Sequence, residues 1–480
     1  MLFKFIQFLV FFAAVYIPYL FLNHKWQNRL LLVASCIFYA AWDWRFIFLI
    51  FVSITIDYFC GLRIDKSDND KVRKYFLLLS IFVNLSILGF FKYFNFFIAN
   101  FSRLINHLGF SIHPQMLNIL LPLGISFYTF KTISYTIDVY TEKIKPTRSY
   151  RDYALFVSFF PLILAGPIMR AGDLLRQIAS PRKVQLEGFY KEGCYLIFWG
   201  GFQKFFVADN LAIIANKLFN PSPPYNGIMV LLAAYAFAFQ IYCDFAGYSN
   251  IARGLGKCMG FDIMVNFNLP YFATNPQDFW NRWHISLSNW LREYLYNPIS
   301  FSLRRWGVWG VSIALMATFL LCGLWHGAYW NYIIWGGYWG ILLISYALLR
   351  PLLAKIPNPK KAIFQKVWFF IRVIFFFHVI CFGWVIFKAE GNATKAFSML
   401  QSLFCNFHWG RGVDIKYSAM GMISFLWLLG IVEIVQYWKN DPMVVYKSNS
   451  ILKVCFCILC LYLLLSCGVA SEGSFIYFQF

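Results

Sequence analysis

Charged side chains are scarce in this sequence of 480 residues, where Asp, Glu, Lys and Arg together make up 13%, about half of their share in an average soluble domain. Hydrophobic residues make up 60% and aromatic residues 21%, and the mean hydropathy is +0.59. Apolar stretches of roughly 20 residues, the length that crosses a hydrocarbon core about 30 Å thick, recur along the whole chain. Because no polar stretch between them is long enough for a soluble domain, we predict an all-α polytopic membrane protein in which residues 1–480 form a single transmembrane domain.

The sequence also lacks the glycine-rich loop that cradles a phosphate and the fingerprint of a dinucleotide-binding fold. Most of its 12 cysteines fall inside apolar stretches, where a free thiol behaves as a small hydrophobic side chain. On the last apolar stretch, Cys455 and Cys457 point to different faces of a helix, whereas metal ligands must converge. We therefore expect neither a metal site nor a bound cofactor.

Acidic residues are the rarer charge type: 21 Asp and Glu stand against 42 Lys and Arg, and the net charge is +21. Such a charge could be taken for a sign of nucleic-acid binding, but the basic residues cluster in short loops between the apolar stretches. The positive-inside rule and the anionic lipids of the inner leaflet predict that distribution. It indicates the lipid bilayer as a partner and does not favour nucleic acid.

The basic loops also predict a topology of 11 or 12 transmembrane helices. With the N-terminus outside, the alternation of loops places twelve spans at about 2–22, 29–42, 46–62, 75–99, 117–140, 193–219, 228–250, 307–325, 329–349, 367–387, 419–438 and 452–470. The C-terminal tail, residues 471–480, then lies on the extracytoplasmic side.

Two segments do not fit this alternation. Residues 153–169, interrupted by Pro161 and Pro167, lie between two basic loops, so we expect them to enter and leave the membrane on the same side. Non-helical backbone at membrane depth is tolerated only where protein or a water-filled cavity surrounds it, and this segment therefore predicts a cavity. Residues 263–306 are too polar to span and are predicted to form an interfacial or re-entrant helical segment.

The segment 263–306 contains the first group of residues that could carry chemistry, in "NPQDFWNRWHISLSNWLREYLYNPI" from Asn275 to Ile299. Ionisable residues at membrane depth are costly, so each is a functional hypothesis. Here they stand among aromatic residues and include Asp278, Arg282 and His284. If the segment is one helix, a single face carries Trp280, Trp283, His284, Leu287 and Leu291.

The second group lies in "LLCGLWHGAYWNYIIWGGYWG", within a helical pair predicted at 307–349. His326 follows Trp325 and stands between Gly323 and Gly327, whose missing side chains would let a substrate or a second chain approach the imidazole. For each histidine two interpretations remain open. It could be a core histidine bonded to a backbone carbonyl, or an acid/base group at the bottom of a cavity.

These two motifs in order, "DFWNRWHISLSNWLREYLY" and then "GLWHGAYWNYIIWG", resemble the signature pair of the membrane-bound O-acyltransferase family. The likeness is to its bacterial branch, the membrane subunits that O-acetylate alginate, cellulose or peptidoglycan and the subunit that adds D-alanine to teichoic acid. Further segments resemble that branch, including "RLLLVASCIFYAAW", "LPLGISFYTFKTISYTIDVY", "FFPLILAGPIMR" and "YCDFAGYSNIARGLG". The resemblance therefore covers nearly the whole chain.

The resemblance implies a multi-span fold around a central tunnel, with His326 as catalytic base and His284 as the second motif histidine. Lining of the tunnel falls on Trp325, Asn331, Trp283, Arg282 and Asp278, and Asn331 is one candidate for the oxyanion donor. The expected reaction passes an acyl group from a cytoplasmic thioester such as acetyl-coenzyme A to a hydroxyl of an exported polysaccharide or peptidoglycan. Acetyl is the acyl group expected. The expected location is the bacterial inner membrane, with a periplasmic acetyltransferase of the SGNH type as partner.

The C-terminal tail ends in "FIYFQF", in which Phe475, Tyr477 and Phe480 match an F-x-Y-x-x-F pattern that resembles the ends of related subunits. The resemblance implies that the tail enters the active site from outside and that Tyr477 carries the acyl group. An aromatic plug at the membrane interface is the alternative.

A second function class also remains open. A dozen spans with a broken helix would suit a transporter or flippase of a small or lipid-linked substrate. Pseudo-repeated halves would favour transport, and the two histidine motifs do not recur in the sequence.

Overall fold

The computed structural model of the protein describes residues 5–112, 114–182, 184, 189–355, 359, 361–389, 391–408 and 413–468. Its regular structure is helical, and no strand occurs in these ranges. The all-α prediction is confirmed.

The helices follow one another with short connections. They are α1 Phe5–Phe21, α2 His24–Asp43, α3 Ile47–Lys66, α4 Asp70–Leu88, α5 Phe94–His107, α6 Ile125–Tyr140, α7 Tyr150–Ser158, α8 Ala171–Ala179, α9 Phe189–Gly201, α10 Asp209–Phe219, α11 Gly227–Cys258, α12 Pro276–Arg282, α13 Ile285–Leu291, α14 Asn297–Ser302, α15 Val308–His326, α16 Trp330–Leu353, α17 Ala362–Lys388, α18 Ala393–Cys405, α19 Val413–Lys439 and α20 Ser450–Cys467. Short 3-10 turns lie at Trp44–Phe46, Pro270–Phe272 and Arg304–Trp306. Wider π-helical turns lie at Gly89–Tyr93, Phe202–Ala208 and Arg292–Tyr296.

Several of these helices are membrane spans by length and composition. Within the described ranges, eight helical stretches are long and apolar enough to cross a bilayer: His24–Lys66, Asp70–His107, Gly227–Cys258, Val308–His326, Trp330–Leu353, Ala362–Lys388, Ile415–Lys439 and Ser450–Cys467. The first of them contains two predicted spans, 29–42 and 46–62. The predicted first span corresponds to a shorter apolar helix, Gln7–Phe21. The chain is therefore a polytopic membrane protein, as the composition predicts.

Three predicted spans are not single regular helices, and the one at 75–99 contains the π-helical turn Gly89–Tyr93 between α4 and α5. In the span predicted at 117–140, α6 begins only at Ile125, because Pro122 to Gly124 form a turn. Gly124 has φ +73°, and a Cβ there would overlap the carbonyl oxygen of Ile163, so only glycine fits. The span predicted at 193–219 consists of α9, the π-helical turn Phe202–Ala208 and α10.

The segment predicted to be re-entrant does leave the helical conformation. Helix α7 ends at Ser158, just before Pro161, and residues 159–170 follow without a helix. Nearly all of them are buried, which agrees with the rule that irregular backbone at membrane depth must be surrounded by protein. The entry and exit of this segment on one side of the bilayer stay a prediction.

The chain forms two compact units, Met1–Ile197 with Ala252–Met264, and Phe198–Ile251 with Val265–Phe480. In the first unit a buried carboxylate joins α3, α4 and α6. Asp57 accepts hydrogen bonds from the Ser80 hydroxyl at 2.6 Å and from the Asn84 amide at 2.9 Å, and Thr132 donates to Asn84. Because each polar group has a partner, the carboxylate can be buried in an apolar unit.

The second unit contains a buried ionic triad in the π-helical turn before α10. The Lys204 ammonium lies 2.8 Å from Asp209 and 2.6 Å from Asp244 of α11, and all three side chains are buried. Buried charges are tolerated when they are paired. The triad thereby fixes α11 to the start of α10 and to the turn that precedes it.

Helices α15 and α16 of this unit pack with their backbones in close contact. A Cβ on Gly323 would overlap the carbonyl oxygen of Tyr332, and a Cβ on Gly336 would overlap that of Phe319. Small residues are what allow two membrane helices to approach this closely. The contact brings the end of α15, where His326 lies, against the beginning of α16.

We expect Gly336→Ala to lower the free energy of unfolding by roughly 1–3 kcal/mol, because the added methyl group forces the two backbones apart. Gly337→Ala is the matched control, since the nearest atom to its Cβ is Leu320 Cδ2 at 3.7 Å. Thermal unfolding in detergent would measure both variants. Equal melting temperatures for the two would contradict the close-contact explanation.

Candidate active site

The first histidine motif does not form one continuous helix. Helix α12 starts at Pro276, capped by Asn275, and ends at Arg282. Trp283 is extended, His284 is left-handed at φ +41°, and α13 begins at Ile285. The predicted shared face of Trp280, Trp283, His284, Leu287 and Leu291 is therefore wrong.

The break occurs because a neighbouring non-helical segment supplies the backbone hydrogen bonds. The Ile285 N–H donates to the Asn266 carbonyl, and the Asn268 N–H donates to the Arg282 carbonyl, both at 2.9 Å. Such bonds satisfy backbone groups that would otherwise be buried without a partner. The segment 263–306 contains α12, α13 and α14 with a break at Trp283 and His284, and its interfacial or re-entrant position stays a prediction.

The carboxamide of Asn266 is the polar centre beside His284. Its Oδ1 lies 3.1 Å from His284 Nδ1 and accepts hydrogen bonds from the Ser286 N–H at 3.1 Å and the Ser286 hydroxyl at 2.9 Å. Its Nδ2 donates to the Ser249 hydroxyl of α11 at 3.3 Å. These four side chains are all buried, and together they hold the imidazole in one orientation.

The His284 ring is enclosed by aromatic side chains on its other sides. Its centroid lies 4.6 Å from the Phe245 ring and 6.3 Å from the Trp325 ring. The side chain has no exposed surface. Burial lowers the pKa of His284 to about 3, because an apolar environment disfavours the charged imidazolium.

His326, the second motif histidine, is the last residue of α15 and is 3% exposed. Its ring contacts three aromatic rings edge to face, with centroid distances of 4.9 Å to Trp325, 5.0 Å to Trp335 and 5.2 Å to Phe387. Gly327 follows in an extended conformation and ends the helix. The imidazole therefore lies at a helix end inside an aromatic shell.

The space beside the two glycines is filled. A Cβ on Gly323 would meet the backbone of Tyr332, and a Cβ on Gly327 would meet the Tyr332 ring. The prediction that these glycines leave room for a substrate or a second chain is therefore wrong. Their physical role is to admit Tyr332 of α16.

Trp325 brings the two histidines together, although 42 positions of sequence separate them. Its ring lies next to both imidazoles, with centroid distances of 6.3 Å and 4.9 Å. Trp283 continues the shell, 5.0 Å from the Trp384 ring, which lies 5.6 Å from Phe387. The structure thus unites His284, His326, Trp325 and Trp283 at one place.

The predicted residues Asp278 and Arg282 form an ion pair in α12. The Arg282 Nε donates to Asp278 Oδ1 at 2.7 Å, and its Nη1 donates to the Asn268 carbonyl at 3.3 Å. Both side chains are about a quarter exposed. These contacts fix the end of α12 to the segment that follows α11.

Asn331 has a structural contact that the sequence did not indicate. Its Nδ2 donates to the carbonyls of Ile386 and Phe387, at 3.3 Å and 3.0 Å. Both carbonyls belong to the last turn of α17, where a helix leaves its C=O groups without intrahelical partners. Asn331 therefore caps α17 and holds Phe387 beside His326. These two hydrogen bonds use the NH₂ group that made Asn331 a candidate oxyanion donor.

A cavity of about 540 Å³ lies in the first unit, lined by Arg45, Phe46, Phe48, Leu49, Phe90, Phe91, Leu117, Asn118, Ile119 and Leu120. Neither motif histidine lines it. The tunnel implied by the resemblance stays a prediction.

Other members of the site were missed by sequence reasoning. Asn266 and Phe387 are distant in sequence from the motif histidines that they accompany, and Phe387 stands in an unremarkable apolar run. Ser286 lies inside the first motif, where nothing in the sequence distinguishes it. The one usable signal was "VNFNLP", where two asparagines interrupt an apolar segment just before the first motif. The predicted tail residues Phe475, Tyr477 and Phe480 lie outside the described residues.

Comparison with known proteins matches the chain to one family. The model of the family described as MBOAT, the membrane-bound O-acyltransferase family, matches residues 144–385. The chain is 41% identical over 402 residues to a probable alginate O-acetylase of Pseudomonas aeruginosa, which covers 83% of this chain and 74% of that protein. It is 33% identical over 408 residues to a peptidoglycan O-acetyltransferase of Helicobacter pylori, with coverages of 79% and 74%. It is also 33% identical over 289 residues to a teichoic acid D-alanyltransferase of Bacillus subtilis, with coverages of 58% and 71%.

We expect Asn331→Ala to destabilise the protein by about 1–3 kcal/mol, since two buried carbonyls lose their donor. Asn331→Asp should destabilise it more, because a carboxylate would face two carbonyl oxygens at the negative end of a helix. As a control, Asn392→Asp should be neutral, because Asn392 accepts the Lys395 N–H at the N-terminus of α18, where aspartate caps equally well. Melting temperatures in detergent would test the order, and an Asn331→Asp variant as stable as the parent would refute the capping role.

Proposed function

The chain belongs to the membrane-bound O-acyltransferase family, and from that membership we propose that it transfers an acetyl group from a cytoplasmic thioester to a hydroxyl of an exported polysaccharide or peptidoglycan. Family membership makes it an O-acyltransferase, and it favours this class over the transporter or flippase that the span count left open. The names of the relatives, which act on alginate, peptidoglycan and teichoic acid, support an exported acceptor. Acetyl is the acyl group in two of those three names.

The observation that carries the proposal is the meeting of both motif histidines on Trp325 within one buried aromatic shell. An imidazole is the side chain best suited to proton transfer near neutral pH. Exclusion of water strengthens electrostatic interactions inside such a shell and protects a reactive acyl group from hydrolysis. The shell therefore suits the transfer of an acyl group between two substrates.

In the proposed reaction, His326 takes the proton of the attacking hydroxyl while the hydroxyl oxygen forms a bond to the thioester carbonyl carbon. The carbon–sulfur bond then breaks, and the thiolate leaves and takes the proton from His326. An ester and a free thiol result, so atoms and charge balance. General base catalysis of this kind is worth roughly 10² to 10⁴ in rate.

The remaining predicted residues take supporting roles in this proposal. His284 orients a substrate, Trp283 and Trp325 wall the reaction site, and Asn331 holds the end of α17. The Asp278–Arg282 pair stabilises α12. The oxyanion donor is then a group other than the Asn331 amide, because that amide already bonds two carbonyls.

The basic loops support a cytoplasmic side on which an anionic donor such as acetyl-coenzyme A would dock. The proposal accordingly places the protein in the bacterial inner membrane, with its C-terminus outside and with a periplasmic acetyltransferase of the SGNH type as partner. The C-terminal tail of this chain, residues 471–480, would act in two steps. The acyl group first passes from the thioester to the Tyr477 oxygen, with the phenol proton going to the thiolate, and then passes to an acceptor hydroxyl, which restores the tyrosine.

We expect His326→Ala to lower acetyl transfer by roughly 10²- to 10⁴-fold. Proteoliposomes would receive radiolabelled acetyl-coenzyme A on one side and oligomers of alginate, cellulose or peptidoglycan on the other, and release of free thiol and label in each acceptor would be measured. His378→Ala is the matched control, because His378 lies on α17 and bonds Tyr235 at 2.6 Å.

Full activity of His326→Ala would remove His326 from the mechanism. If labelled acetyl-coenzyme A crossed the membrane unchanged and no thiol were released, the result would favour a transporter over an acyltransferase.

Tyr477→Phe tests the carrier step, because it keeps the ring and removes only the nucleophilic oxygen. We expect labelled acetyl groups to disappear from the chain itself and acceptor acetylation to fall to background. Tyr462→Phe, on exposed surface of α20, should behave like the parent. Normal transfer by the Tyr477 variant would leave the tail as an aromatic plug.

A further inference from the structure

The hydrogen bonds around Asn266 identify which of its amide atoms faces His284. The Ser286 backbone N–H lies 3.1 Å from that atom. A backbone N–H can only donate, so the atom must be the carboxamide oxygen and not the NH₂ group. The opposite end of the amide, the NH₂ group, then donates to the Ser249 hydroxyl.

This assignment determines the tautomer of His284. The Asn266 oxygen has no hydrogen, so His284 Nδ1, 3.1 Å away, must carry the proton and donate it. A neutral imidazole has one N–H nitrogen and one acceptor nitrogen. Nε2 is therefore the acceptor whenever the ring is neutral.

The surroundings keep the ring neutral. The groups that face it include Asn266 and Ser286 on the polar side and the rings of Phe245, Phe267 and Trp325 on the others. Two titratable residues are sequence neighbours of these rings. Asp244 precedes Phe245 and pairs with Lys204 at 2.6 Å, and His326 follows Trp325. Burial lowers the pKa of His284 to about 3, so the imidazolium does not form at physiological pH.

We infer that Asn266 is a positioning residue that holds His284 in the Nδ1–H tautomer, so that its Nε2 accepts a hydrogen bond from an N–H or O–H group of a substrate. The inference rests on the proposed function, in which both histidines meet the substrates. It has a chemical consequence for that function. A nitrogen that only accepts hydrogen bonds cannot stabilise the oxyanion formed from the thioester. His284 therefore binds an amide N–H of the thioester donor or the O–H of the attacking hydroxyl.

The first test needs no measurement of activity. In protein with ¹⁵N-labelled imidazoles, His284 is identified by the signals lost in His284→Gln. We expect a protonated Nδ1 and an unprotonated Nε2 that do not change between pH 5 and 8, as burial of a neutral ring requires. Observation of the Nε2–H tautomer or of an imidazolium in this range would overturn the inference even if acetyl transfer were established.

The second test is Asn266→Asp, which keeps the shape and places a negative charge beside Nδ1. A carboxylate favours the imidazolium, so the pKa of His284 should rise. Because the neutral form is the one required, activity should fall about tenfold for each pH unit below the raised pKa and return above it. Asn392→Asp is the matched control, since Asn392 is exposed and its side chain caps the N-terminus of α18.

The inference fails if Asn266→Asp has the acid limb of the parent pH–rate profile. A variant inactive at every pH would also count against it when the labelled spectrum shows a folded protein with neutral His284. An effect on the KM of the thioester identifies an amide of the donor as the group bound by Nε2. An effect on the KM of the oligosaccharide identifies the acceptor hydroxyl.

Discussion

Two backbone hydrogen bonds, from Ile285 at the start of α13 to Asn266 and from Asn268 to Arg282 at the end of α12, are the interaction on which the candidate active site depends. Backbone groups at membrane depth must be satisfied by protein, and helices normally do this within themselves. Here a second segment of chain satisfies them instead. The chain can therefore leave the helix at His284 and adopt a left-handed conformation, which turns a motif residue out of a helical stripe and into a polar pocket.

Around this break the second unit is built from close helix contacts and aromatic rings. The glycine contact of α15 and α16 brings the end of one helix against the start of the next, and Asn331 ties the end of α17 to both. His326 lies where these three helices meet. The resulting shell is apolar and encloses both imidazoles, and exclusion of water is what the proposed acyl transfer requires.

Much of the fold and part of the site could be predicted from the sequence. The scarcity of charge and the spacing of apolar stretches predicted the helical membrane protein, and the two motifs predicted which histidines matter. Helical periodicity failed at Trp283 and His284, because it cannot register hydrogen bonds to a segment 18 residues earlier. The missing side chains of Gly323 and Gly327 also predicted free space, whereas Tyr332 of the next helix fills it.

The sequence by itself determined the class of protein, the family and the identity of both histidines, because composition and motifs are local properties of the chain. Tertiary structure alone decided how those residues are placed. It placed Trp325 between the two imidazoles, converted Asn331 into a helix cap and made Asn266 the partner of His284. The physical reason is that orientation, tautomer and burial depend on atoms from distant parts of the chain, which become neighbours only when the helices pack.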